Sequence, residues 1–160
     1  FVQGVNLGHF MQPLLCMIDF NQLDVRTIYD ARLCVECGTV RFAAQNRTEP
    51  DIERIRRILA DFDAALNAGD YLRVGELDTE FPIMLAKAAQ NSVLEATILL
   101  LENITTACLK RLDKYMIILD GARVQHRQIL DAIERGEAEE AERYMRVHTL
   151  ESRALLMKES

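Results

Sequence analysis

The sequence predicts an all-α fold, an antiparallel bundle of six or seven helices. Three observations predict it. Apolar residues recur at three- and four-residue spacing along nearly the whole chain. No run of any length alternates apolar and polar residues as a half-buried strand would. Only three prolines and seven glycines interrupt 160 residues, so breakers are scarce enough to mark the turns between helices. That length supports one domain with a proper core and is too short for two comfortable ones.

The elements follow in order. Residues 1–22, with Gly4, Gly8 and Pro13, read as a linker and a short helix. Residues 23–160 read as the helical domain. Ile28, Leu33, Val35, Val40 and Phe42 support a first long helix over about 25–45. Thr48 offers an N-cap, with Pro50 and Asp51 in the first turn, and a second helix runs to Asn67 before the break at Gly69. Asp70 caps a third helix carrying Leu72, Val74, Leu77, Phe81, Ile83 and Leu85. A leucine-rich fourth helix starts at Asn91 or Ser92 and reaches about Leu112; it is apolar most of the way round, which predicts burial on two sides. A fifth covers roughly 117–135 and stops at Gly136, placed as a C′ glycine, and the last runs from Ala138 to near Lys158.

A content of 49% hydrophobic and 28% charged residues is that of a folded globular chain and excludes disorder. No stretch reaches the roughly 18 uncharged apolar residues of a membrane span, so no membrane partner and a cytoplasmic setting are expected. The formal net charge of −6 makes the chain a poor nucleic-acid binder on its own, because phosphate contacts need Lys and Arg. Cys16, Cys34, Cys37 and Cys108 show no disulfide framework; Cys34 and Cys37 form a C-x-x-C inside a helical pattern and read as small buried apolar residues.

The informative feature is a set of ionisable residues on apolar faces. Asp78 shares a helix face with Tyr71, Val74, Phe81 and Leu85. His126 lines up with Ile129, Leu130 and Ile133, and His148 follows Ala141, Tyr144 and Met145 and precedes Leu155. A buried carboxylate is costly unless paired or ligated. One Asp and two His from three helices meet that cost jointly by sharing a divalent cation or a proton network, and they are ligand types suited to zinc or nickel. The plainer alternative is three separately hydrogen-bonded core residues. Arg32, one turn before Glu36, reads either as an i,i+4 ion pair or as a fork holding an anionic ligand in the core.

Three segments resemble a known family. "ARLCVECGTVRFAAQN" looks like the first-helix signature E-x-R-x-x-x-E followed by A-A of the FadR C-terminal domain (FCD) class of GntR-type regulators, with Asp30 where Glu is usual. "LDTEFPIMLAKAAQN" resembles that class's D-x-x-F-H segment ending in A-x-x-N. "HRQILDAIERGEAEEAERYMRVH" resembles its block with a histidine at each end. The resemblance implies a dimeric, ligand-sensing helical bundle beneath an N-terminal winged helix-turn-helix that contacts operator DNA. Phe1 and Val2 resemble the end of such a wing, so the DNA-binding part is expected upstream of this chain. The resemblance also implies a small carboxylate effector, held by Arg32 and Asn91, and metal ligation by Asp78, His126 and His148. The family's remaining ligand position is Pro82, which has no donor to offer and, four residues after Asp78, predicts a helix kink.

Three protein ligands remain acceptable to zinc if water or effector completes the shell; a metal-free pocket contacting the anion directly is the alternative. Effector binding would then act as a population shift, changing helix packing and the angle between two DNA-binding domains. On this reading Arg32→Ala loses effector response and keeps its fold. A metal-dependent enzyme is disfavoured, because there is no H-E-x-x-H, no E-x-x-H at either histidine and no evident general base. A pure dimerisation module would not need Asp78, His126 and His148 on core faces.

Overall fold

The computed structural model describes residues 23–112 and 119–158; the expected linker and short helix, with Cys16, lie outside them. Six α-helices fill the described chain: α1 Val25–Asn46, α2 Glu49–Ala68, α3 Tyr71–Ala88, α4 Ser92–Leu112, α5 Leu119–Arg135 and α6 Ala138–Lys158. Among the described residues there is no strand.

The boundaries follow from local chemistry. Asp24 caps α1 by accepting from the Thr27 N–H at 2.7 Å. At the start of α2, Pro50 occupies the first turn, and the Asp51 carboxylate accepts from both the backbone N–H (3.0 Å) and the hydroxyl (2.6 Å) of Thr48. The same carboxylate accepts from Gln90 Nε2 at 3.0 Å, which ties α2 to the α3–α4 turn. The α2 and α5 helices both end on glycines in the left-handed region, Gly69 at φ 70° and Gly136 at φ 73°.

These two glycines separate backbone strain from crowding. Alanine at either position meets the left-handed penalty of roughly 1–2 kcal/mol. A Cβ at Gly69 meets nothing within 4 Å, whereas at Gly136 it lies 3.1 Å from the Arg47 guanidinium. That guanidinium is held in place by the carbonyls of Ala44 and Glu134. Gly136→Ala is therefore expected to lose more stability than Gly69→Ala in urea denaturation; equal losses would show that the Arg47 contact is irrelevant.

Helix α1 packs most extensively against α6 and also touches α3, α4 and α5, so it runs through the middle of the bundle. Its buried stripe of Ile28, Tyr29, Val40, Ala43 and Ala44 belongs to the same buried cluster as Phe62, Phe81, Leu85, Ile129, Ile133 and Met145. This is one contiguous core. Ion pairs clasp its outside: Arg41 to Glu142 at 2.8 Å, Arg56 to Glu134 at 2.8 Å and Arg123 to Asp63 at 2.9 Å.

Several expectations need correction. Phe42, Tyr71 and Leu72 face outward rather than into the core, Leu72 being 79% exposed, and Leu155 is also exposed. Cys34 is exposed, unlike Cys37, so the C-x-x-C is not a buried pair. Among the described residues α4 is covered on one side only, because just a third of Ser92–Leu109 is buried. That segment has mean hydropathy 1.4 and is, by length and composition, apolar enough to cross a membrane, although it carries Glu95 and Glu102.

Candidate functional site

Four of the five residues singled out from sequence converge. Arg32 from α1, Asp78 from α3, His126 from α5 and His148 from α6 line one internal pocket with Glu36, Phe81, Pro82 and Met145. The open space there is only about 10 Å³, room for about one water.

His126 is 1% exposed. Phe81 stacks on its ring at 4.1 Å between centroids, and Phe62 meets it edge-on at 5.6 Å. Its Nε2 stands 3.6 Å from Asp78 Oδ1. This is too long for a hydrogen bond, but it is about the spacing of two donors that each sit about 2.1 Å from one ion. Its Nδ1 is buried without a hydrogen-bond partner. Burial first, then the neighbouring His148 and Arg32, hold the imidazole well below its usual range, so it is neutral. Asp78 is pushed up to about 6 by burial, with Arg32 opposing and Glu36 reinforcing the shift.

His148 lies beside it, the two rings 4.9 Å apart. Burial, aided by Arg32, pushes His148 down to about 3. Its Nδ1 is 2.8 Å from Gln125 Oε1, and Gln125 Nε2 donates to a Glu151 carboxylate oxygen. That chain fixes the tautomer: Glu151 takes the amide nitrogen of Gln125, the amide oxygen must accept, and Nδ1 must therefore carry the proton. The Nε2 lone pair is left as the donor, which is how metal-binding imidazoles are commonly oriented.

Arg32 is not a free fork. Its Nε donates to Glu36 Oε1 at 2.7 Å, and a terminal nitrogen lies 3.1 Å from Glu102 Oε1. Thr149 Oγ1 donates to the second oxygen of Glu36 at 3.0 Å. Glu36 and Glu102 are 1% and 4% exposed, so the i,i+4 pair read from sequence is one half of a buried carboxylate–guanidinium–carboxylate triad. With Arg32 as its hub, Arg32→Ala is expected to lose stability as well as effector response. The guanidinium also lies 5.1 Å from the Tyr29 ring centroid.

Asn91 is not among the pocket's lining residues. It is exposed and caps α4, its side-chain oxygen accepting from the N–H groups of Val93 (3.0 Å) and Leu94 (3.2 Å).

Among the described residues no three His, Cys, Asp or Glu side chains are arranged as they would be around an ion. The donor chemistry nevertheless fits one: a carboxylate and two neutral imidazoles, one with an orphaned nitrogen, around a water-sized space. Pro82 lines that space and contributes no donor.

Sequence reasoning passed over Glu102, Thr149, Gln125 and Glu151. Glu102 was findable, since Ile98, Glu102, Thr105 and Leu109 form one buried stripe of α4 and a carboxylate there needs a partner. Gln125 and Glu151 gave no such signal.

The described residues thus form an all-helical bundle with a water-sized polar pocket inside it. The chain belongs to the FCD domain family, whose model matches residues 27–151. It is 27% identical to the HTH-type transcriptional regulator LutR of Bacillus subtilis, over 92% of this chain and 69% of that protein. It is 32% identical to a second B. subtilis protein, the uncharacterized HTH-type transcriptional regulator YcbG, over 55% of this chain and 36% of that one. Among solved structures, Streptococcus agalactiae GntR superposes with TM-score 0.71 at 23% identity, over 85% of this chain and 60% of that one. E. coli McbR/YncC does so with TM-score 0.71 at 16% identity, over 84% and 64%. The chain thus spans less than two thirds of either solved protein. These relatives carry the names of regulators, not of enzymes.

Proposed function

We propose that this chain is the effector-sensing and dimer-forming part of a cytoplasmic GntR-type transcription regulator. It binds a small carboxylate at Arg32 beside a divalent metal, zinc or nickel, held by Asp78, His126 and His148. Operator DNA is contacted through a separate winged domain. The observation that carries this reading is the convergence of those four side chains, from four helices, on one internal pocket.

Arg32 supplies the positive charge and planar donor geometry that a carboxylate recognises. Phe62 and Phe81 fix the His126 ring, and Gln125 with Glu151 fixes His148, so both imidazoles are already oriented. A metal bound there would supply a fixed charge for the effector's carboxylate. The water-sized pocket does not admit an organic acid unless helices move apart, so binding selects a rearranged bundle and thereby biases the attached DNA-binding domains.

Zinc chloride or nickel chloride titrated into chelator-treated, untagged protein is expected to bind one ion per chain and raise Tm. Asp78→Asn is expected to weaken that affinity by about 10–100-fold or more, because an amide is a poor replacement for a carboxylate ligand. No calorimetric heat and no Tm change with either metal would remove the metal from the proposal. The second reading then stands, a metal-free anion pocket, favoured by the absence of a three-donor arrangement among the described residues. Native mass spectrometry of gently purified protein would show an organic acid without metal in that case; bound acid and no chemical change in it also separates a sensor from an enzyme.

A further inference from the structure

We infer that Glu102 is a built-in stand-in for the effector's carboxylate, closing the passage from an outer groove to the core pocket and giving up Arg32 to an incoming carboxylate. This rests on the reading that the core pocket takes a carboxylate.

The placement of Glu102 carries the inference. An outer groove of about 740 Å³ opens between α3 and α4, lined by residues including Leu72, Thr79, Ile83 and Leu99. That is ample for a small organic acid, whereas the polar core pocket holds about one water. Glu102 lines the outer groove, and its Oε1 lies 3.1 Å from Arg32, which lines the inner pocket. Through that contact it links the lining of the groove to the lining of the pocket.

Glu102 is also the more weakly held of the two carboxyl groups on Arg32. Glu36 accepts a well-formed hydrogen bond from Nε at 2.7 Å and another from Thr149. Glu102 Oε1, although within ion-pair distance, has no hydrogen bond of acceptable geometry and is buried. Burial pushes Glu102 up to about 8, Arg32 opposing, with Glu36 and Asp78 adding repulsion. Three carboxyl groups therefore crowd one guanidinium, and the one from α4 is held least firmly. Among the described residues helix α4 is covered on one side only, which leaves it room to carry Glu102 away when a better-aligned carboxylate arrives.

The probe is sodium acetate, with acetamide as the same shape without charge and sodium chloride at matched ionic strength. Shortening the side chain in Glu102→Ala vacates the carboxylate's place. Acetate is expected to raise the Tm of that variant saturably, with apparent affinity at least about tenfold above wild type, while acetamide and chloride do not. Glu102→Gln keeps the shape but loosens the grip on Arg32 and should fall between the two. If Glu102→Ala folds only when acetate is present, that also supports the role; if it does not fold at all, the Glu102→Gln comparison decides. Equal acetate response in wild type and variants, or equal response to acetamide, overturns it. Failure of the sensor reading is seen separately, as wild-type protein that binds neither metal nor any co-purified acid.

Discussion

Arg32→Ala is expected to lose about 3–5 kcal/mol of folding stability, the cost of breaking a buried ion pair by removing one partner. Glu36 and Glu102 are both nearly inaccessible and both face this guanidinium. Without it, two carboxylates must be neutralised or hydrated in a bundle that leaves about one water's worth of space. Chemical denaturation of the purified variant gives the measurement. A midpoint equal to wild type would mean that the triad is dispensable. Replacing the triad together, Arg32→Met with Glu36→Gln and Glu102→Gln, should recover much of the loss, since no uncompensated charge remains. The variant that best reports effector recognition is therefore not Arg32→Ala, whose lost response would be confounded by lost structure.

Phe81→Ala is expected to cost about 3–5 kcal/mol as well, for a different reason: a fully buried aromatic leaves a cavity that the surrounding helices fill only in part. Phe81 is 1% exposed and lies against His126 with its ring 25° from parallel. The same substitution frees the imidazole to turn. Two readouts should thus move together, the denaturation midpoint and zinc affinity. Phe81→Leu, which fills more of the space but offers no ring face, should recover more of the stability than of the affinity. Stability lost with zinc affinity intact would show that Phe81 serves packing alone.

The helix ends were legible because their signals are local. Thr48 with Asp51, Asp70, Gly69 and Gly136 each satisfy a terminal backbone group or adopt a conformation other residues resist, and each lies where the sequence placed it. Asp78, His126 and His148 were legible because the stripes around them fix which way they point. Glu102 was passed over because α4 is apolar around most of its girth, so its buried stripe of Ile98, Glu102, Thr105 and Leu109 stands out less than those of the other helices. Phe42 and Leu72 show the converse error, an apolar residue taken for a core residue on helical spacing alone. Asn91 matched a motif letter, but its position one residue before α4 makes it a cap. Arg32 read as an ion pair with Glu36 or as a fork for an anion, and its second partner was missed because it comes from 70 residues further along the chain.

Helix α1 is more than a wall of the core. It carries Arg32 about a third of the way along, and Asp30 on its exposed side is clipped to Arg153 of α6. From Arg32 back to the Asp24 cap is about 12 Å of rod. A tilt of about 10° about the guanidinium would swing that end by about 2 Å. A stiff helix gripped a third of the way along works as a lever, so the proposed exchange of one carboxylate for another at its fulcrum would be felt out to its near tip.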